Sequence, residues 1–517
     1  MMKEQRRAGA FPPPLGWIPI GVALALVTVA SIVAFVPQYG THQVIGVSND
    51  KNAGGGDSGG GGSDVGPAAG GSGSQGGGAG AAQGAGGGSK ASGGGGGAAV
   101  GAGDCAHGKN AGPTAPGVSA TTINIATTDV TTGIGSGFLG EAVQGMRAAI
   151  DQVNHAGGIC GRHVALQSVN DGWDGPTGNN YISGFINSGN VFALVGEPDS
   201  EGLDAAVKAG SVDRAGIPVV GTDGMLASQY NDPWVWPVAA STVTNMHIIA
   251  QYTHDVLHAN KVGIVYDSVY KFGKEGAAAF AAEVQRVNGG ALGMDKSKGC
   301  GGGFCGVSPS STDYSSPIHD FNSYCSTQAG ASKQCDVVVM LLEPQPMETW
   351  MKGEENCSCT WFTKLMGGEP LFDDGFANNC AQDCSGMIVW SGYKPDIQPF
   401  DAQPPVYAFA NALRSVCGTC DPHNEFTEGA YLGTKLFIAA CEKVGANLTR
   451  AALQQELNSE TFDLGLSLPL HYGTALPHLA NASMVAFQDN ASGTFNGWSY
   501  MQTGFLKDPA PGQDLKD

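Results

Sequence analysis

The sequence predicts an α/β protein built from parallel sheets with helices packed on them. Three observations predict it. Short β-branched runs recur after residue 121: INIATT, HVALQSV, VFALVG, IPVVG, KVGIVYD, CDVVVMLL and MIVWSGY. Amphipathic stretches separate them, such as residues 141–154, where Val143, Met146, Ile150 and Val153 share a face. Glycines close the helices, as at Gly157-Gly158 and Gly216. Repeated βα units imply parallel sheets covered by helices on both faces.

The first unit is the most informative. INIATT reads as a strand and TTGIGSGFLG as a long, hydroxyl-rich loop, followed by the helix 141–154. The chain then turns on Gly161 into HVALQSV, which ends at Asn170-Asp171. Loops at the carboxyl ends of such strands are where open α/β sheets bind small molecules. Further on, residues 181–186 lie in a helix and VFALVG is a strand. A helix over 203–215 precedes IPVVG, and NDPWVWP (231–237) reads as a break. Helices follow at 245–258 and 273–287 around KVGIVYD, then CDVVVMLL, MIVWSGY and late helices at 427–444 and 449–457. One set lies before about Val238 and one after, which suggests two lobes. Residues 300–324, rich in Gly, Ser and Cys, read as a stapled insertion.

Not all of the 517 residues can fold. From 54 to 103 roughly half are Gly, and most others are Ala and Ser. Such a tract buries too little apolar surface to offset its ordering entropy. It is read as a disordered tether spanning about 40 Å on average. Residues 17–36 (WIPIGVALALVTVASIVAFV) carry no charge and are long enough to cross a bilayer. Lys3, Arg6 and Arg7 precede them, which keeps the N-terminus inside and exports the rest. The segment is an anchor or a cleaved signal.

The net charge of −20 excludes a phosphate-tracking nucleic-acid binder. The 13 cysteines all follow residue 104, and several lie close together: Cys300/Cys305, Cys325/Cys335, Cys380/Cys384 and Cys417/Cys420. That density suits disulfides in an oxidising compartment better than zinc, because the C-x-x-C and C-x-C strings lie far apart. Cys357 and Cys359 are too close for an ordinary pair and are assigned separate partners. The odd count leaves a thiol over.

The loop TTGIGSGFLGEAVQGM, the turn VNHAGGICGR, VFALVG, AGIPVVGT and KVGIVYDSVYKFGKEG, in this order, resemble the type 1 periplasmic solute-binding proteins of the leucine/isoleucine/valine-binding family. The resemblance spans 121 to about 498. It implies two Rossmann-like lobes with a hinge, a small-molecule ligand between them, and delivery to an ABC permease. It also implies an extracytoplasmic, monomeric protein in the cell envelope, without enzymatic activity, cofactor or metal. The expected division is 1–16 cytoplasmic, 17–36 anchor or signal, 37–103 tether, 104–238 first lobe and 239–393 second lobe. Residues 394–483 return to the first lobe and 484–517 to the second.

Site residues follow from the same resemblance. Ser136 and Phe138 lie in the first loop, Phe138 where the family places an aromatic residue against the ligand. Ser200 and Glu201 follow VFALVG, where amino-acid binders set hydroxyls to hold a carboxylate at a helix N-terminus. Thr222 and Asp223 follow IPVVG, Tyr270 stands at a ligand-contacting Tyr position, and Glu343 follows VVVMLL. Glu369 matches the acid that pairs with the ligand's ammonium. The carboxylate half of the site is therefore eroded, since Asp199, Glu201 and Asp223 crowd it with acids. If they face the cleft, the ligand is cationic or a polyol; if they cap helices, it is amino-acid-like. Trp173 is a further candidate for the cleft wall.

Other chemistry is weakly signalled. Gly135 to Gly140 matches G-x-G-x-x-G, but a polar loop separates it from the strand, unlike a dinucleotide fingerprint. His254 and His258 are four apart on a helix and read as an exposed polar face. A sensing ectodomain acting through a membrane partner is the alternative to transport. A structural envelope protein would not need the hydroxyl-rich strand-end loops.

Overall fold

Strand-forming and helix-forming runs alternate through most of the described chain, and each finds its place in one of two sheets. The computed structural model describes residue 105 and residues 110–288, 293–327, 334–357, 362–490 and 494–515. The expectations for 17–36 and the Gly-rich tract fall outside these residues. Among the described residues, no helix is long and apolar enough to cross a membrane.

The chain begins with β1 (Thr122–Asp129), α1 (Ser136–Leu139), α2 (Ala142–His155), β2 (His163–Asn170) and α3 (Gly175–Ser188). It continues through β3 (Ala193–Val195), α4 (Ser200–Lys208), α5 (Ser211–Ala215), β4 (Val219–Val220), α6 (Ala227–Tyr230) and β5 (Val235–Trp236). These five strands form a parallel sheet in the order β2-β1-β3-β4-β5. Its two faces alternate along each strand. Ile125, Val195 and Val220 join the larger core, whereas Ala126, Leu194 and Val219 join a smaller one with Ile182, Phe185 and Leu203. The segment NDPWVWP, expected as a break, supplies the edge strand β5. The helix expected over 203–215 is two helices, separated at Gly210, whose φ is +64°.

The second set comprises α7 (Thr242–Asp255), β6 (Val262–Asp267), α8 (Lys271–Asn288), β7 (Phe304–Val307), α9 (Ser315–Thr327), β8 (Cys335–Leu341) and α10 (Pro344–Cys357). It adds β9 (Phe362–Gly367), α11 (Asp374–Cys380) and β10 (Ile388–Ser391). Helices α12 (Pro404–Val416), α13 (Glu425–Val444) and α14 (Arg450–Ser459) follow, then β11 (Ser483–Asp489), β12 (Trp498–Tyr500) and β13 (Leu506–Lys507). The second sheet runs β12-β11-β10-β9-β8-β6-β7, with β13 beside β11. Strands β6 to β10 are parallel, but β11 runs antiparallel to β10, and β12 and β13 antiparallel to β11. The sheet is thus mixed. Short connections join β11, β12 and β13, which suits antiparallel pairing, whereas α12, α13 and α14 lie between β10 and β11. The Cys-rich segment is built into this sheet, since β7 pairs with β6.

The late helices pack away from the sheet they follow. Helix α13 lies along α2, and α12 joins them. Disulfides join Cys300–Cys305, Cys325–Cys335, Cys380–Cys384 and Cys417–Cys420, the close pairs expected, and also Cys105–Cys160. Cys357 is disulfide-bonded, and Cys359 lies outside the described residues. Cys441 is a buried free thiol.

Candidate functional site

The carboxyl ends of the two sheets face each other, and a small enclosed cavity lies between them. From the first sheet come Asp223 and Met225, in the loop after β4. From the second come Glu369, after β9, and Tyr393, after β10. Ala239 lies in the passage from β5 to α7, and the first turn of α13 supplies Glu425, Phe426 and Gly429. The free volume for water is 10 Å³, about that of a single molecule. None of the lining residues is basic.

The three acids are held in place by their own loops. Asp223 accepts the Met225 N–H at 3.2 Å through Oδ1, and its buried Oδ2 has only the neighbouring Gln229 amide as a possible donor. Glu425 accepts the Gly392 N–H at 3.1 Å through Oε1, and its buried Oε2 has no partner. Asn424 caps α13 by accepting the Thr427 N–H at 2.9 Å, which fixes the turn that carries Glu425. Burial disfavours charge on all three. It raises Asp223 to about 7 and, against the Gly392 N–H, Glu425 to about 8. Glu369 is pushed well up, first by burial and then by Glu425 and Asp223. Burial also raises the phenols of Tyr230 and Tyr393, so both are neutral donors.

A second set of contacts bridges the sheets. Trp173, after β2, stacks on Tyr270, after β6, with centroids 4.1 Å apart and planes 16° apart. Its Nε1–H donates to Ser200 Oγ at 3.2 Å. Lys271, the first residue of α8, donates its backbone N–H to Glu201 at 2.7 Å, and its ammonium contacts Glu201 and Asp204 of α4. Glu275 of α8 accepts the Ala227 N–H of α6 at 3.0 Å. Apart from the Trp173–Ser200 bond, which stays within the first set, these contacts run between elements attached to different sheets.

The nine residues named from sequence therefore fall into several places. Asp223 and Glu369 line one cavity. Thr222 adjoins it and donates to Gln229 at 3.0 Å. Phe138 is buried behind it, its ring 5.2 Å from Phe426 and 5.5 Å from Trp173. Glu201 and Tyr270 belong to the bridging contacts, and Ser200 accepts from Trp173 beside them. Glu343 lies apart, beside Asp267; burial and that neighbour raise it to about 10. Ser136 turns back on its loop and donates to Gly133 O at 2.7 Å. Asp199 does not reach the cavity lining. It is fully buried beside Asp171, and burial and that neighbouring acid push its carboxyl well up.

Sequence reasoning missed Glu425, Phe426, Tyr393 and Met225. Glu425 carried a faint signal. The first turn of α13 holds two acids, Glu425 and Glu428, within a helix that is apolar on most of its circumference. A larger groove, lined by Pro399, Trp498 and Tyr500 among others, borders the antiparallel edge of the second sheet. It contains no ionisable group besides Tyr500 and lies away from the strand-end loops.

Comparison with known proteins agrees with this fold. The periplasmic binding protein family matches residues 122–494. A possible leucine/isoleucine/valine-binding protein from Rhodopirellula baltica is similar in structure, with a TM-score of 0.61 at 14% identity, over 76% of this chain and 98% of that one. The isoleucine complex of a branched-chain amino acid transporter substrate-binding protein from Streptococcus pneumoniae gives 0.59 at 16%, over 75% and 100%. A fatty acid ABC transporter substrate-binding protein from Thermomonospora curvata gives 0.60 at 17%, over 78% and 96%. At such identities the likeness carries the fold and nothing finer. No curated protein matches in sequence.

Proposed function

Because the chain belongs to the periplasmic binding protein family, we propose that it is an extracytoplasmic receptor that closes two lobes on a small molecule and delivers it to an ABC-type permease. Two structural relatives carry names of ABC transporter or transporter substrate-binding proteins, one for fatty acids and one with isoleucine bound. The ligand differs between them, so the class of ligand follows from this chain's own cavity. The observation that carries the reading is the meeting of Asp223, Glu369 and Glu425, from three separate elements, around one enclosed space. A structural envelope protein gains nothing from collecting buried acids there, because each costs solvation. The hinge is assigned to the strands of chain between β5 and α7, β10 and α12, and α14 and β11. Residues 17–36 and the Gly-rich tract are assigned to tethering the receptor near its permease.

The test is a thermal-shift screen of the folded chain against amino acids, amines, sugars, polyols, amides and short peptides. A ligand at about 100 times its Kd adds about 2.7 kcal/mol, a rise of a few degrees. A hit that is abolished by bulk placed in the cavity, for example by Gly429→Trp, supports binding there. No shift with any class, on protein shown to be folded, counts against a receptor.

A further inference from the structure

We propose that the cavity takes a small organic cation that carries no carboxylate, an alkylammonium or guanidinium ion, and that this cation enters in exchange for protons held by Asp223, Glu369 and Glu425. The inference rests on the receptor reading above and names the ligand of the same site.

The lining makes the argument. Three carboxyl groups face one space, and no lining residue is basic. Glu369 and Glu425 are 7% and 6% exposed, so water does little to screen them. Glu425 Oε2 is buried without a hydrogen-bond partner, and Asp223 Oδ2 has only the neighbouring Gln229 amide as a possible donor. Buried acceptors of that kind are costly unless a donor arrives. A ligand carboxylate would meet only like charge here, whereas ammonium and guanidinium N–H groups meet acceptors. A bare metal ion fits less well. Among the described residues, the acids and histidine close enough to share one are Asp374, Asp421 and His423, outside this cavity. The cation must therefore be large enough to bridge separated carboxyls. In this conformation the space admits about one water, so any organic cation enters only when the lobes part and reclose around it.

Three acids facing one enclosed space cannot all be ionised without a counter-charge, so without a ligand they hold protons. The raised values of Asp223, about 7, and Glu425, about 8, agree with this. The other groups that face them do not supply the charge. Tyr230, Tyr393 and Tyr472 are phenols that burial raises further. Glu428, one turn along α13, adds another raised acid, and Asp396 adds like charge to it. Lys394 acts on Glu428 but does not line the cavity, and its ammonium donates to Gly465 O at 3.3 Å. A cation that binds ionised carboxyls thus drives their protons to solvent. Its affinity rises with pH and falls as the acids regain protons near neutrality.

The experiment is isothermal titration calorimetry of the full chain with guanidinium, ethylammonium and 1,4-diaminobutane. Leucine, glucose and potassium are the comparison set. Each titration is run at pH 6 and pH 8, in two buffers of different ionisation enthalpy. The expected result is cation binding that is about tenfold weaker at pH 6 for each proton exchanged near pH 7, with a buffer-dependent heat that reports proton release. Asp223→Asn and Glu425→Gln should each weaken binding and remove about one released proton. Both free variants should melt no lower than the parent at pH 8, which shows that they fold. Cation binding equal at both pH values, with equal heats in both buffers, overturns the exchange. Binding of leucine or glucose without the cations overturns the ligand class and leaves the receptor standing. Potassium binding alone overturns the organic cation. Silence from every probe overturns this proposal, and a silent wider screen then removes the receptor reading as well.

Discussion

Trp173 is the residue on which the two sheets' loops converge. It sits at a φ of +65°, a conformation L-residues seldom adopt, and its neighbours must hold it there. Asp171 does so by accepting the Trp173 N–H at 2.9 Å, while Phe138, Tyr270 and Phe272 surround the ring. A Cβ on Gly135 would lie 2.9 Å from that ring, which is why the first loop passes it with glycine. Removing the ring therefore opens a void between the layers. Trp173→Ala should cost about 3–5 kcal/mol in urea unfolding, and Trp173→Phe much less. A loss under about 1 kcal/mol would mean that the ring is not packed as described. The sequence marked Trp173 and Asp223 because each follows a recognisable strand, and Glu369 only through the family resemblance, since β9 before it was not legible. Glu425 escaped because it lies about 200 residues from Asp223, at the start of a helix whose tertiary position no local pattern reveals.

Helix α13 packs against its neighbours at close range. It is buried along most of its length because it is clamped between α2 and the end of β4. Two glycines permit this. A Cβ on Gly145 of α2 would fall 2.1 Å from Thr427 O, and one on Gly433 would fall 2.3 Å from Gly221 O. Gly145→Val should cost roughly 3 kcal/mol by overpacking. It should also weaken ligand binding, because the shifted turn carries Glu425. Gly184→Ala in α3 is the control. Nothing lies within 4 Å of its added Cβ, so it should be neutral or stabilise by up to about 1 kcal/mol. Equal losses in the two variants would refute the close approach. Periodicity made α2, α7, α8 and α13 legible in advance. It could not show that β5 hides in NDPWVWP or that β11 joins its sheet antiparallel, since short strands owe their place to the neighbour that pairs with them.

At the scale of the molecule, the acids inside the fold set how its stability answers to pH. Burial raises Asp373 to about 6, Asp223 to about 7, Glu425 to about 8 and Glu354 to about 9. The native state then holds more protons than the unfolded chain from about pH 4 upward, so stability falls as pH climbs through those values. His423 acts in the same direction. Its burial is outweighed by Asp374 and Asp421, which raise it to about 9, so the stability of that pair is lost as pH rises through 9. On the acid side, Asp174 is lowered by Thr177, and its contribution fades as pH drops below about 4. The melting temperature of the free protein should therefore peak near pH 5 and decline steadily to pH 9. A bound cation reverses part of that slope, because it compensates the acids where they are most costly. The stabilisation by ligand should accordingly be largest at pH 8 to 9. Melting curves that rise from pH 5.5 to 8.5 without ligand would show that these carboxyls already have counter-charges, and the case for a cationic ligand would lose its physical basis.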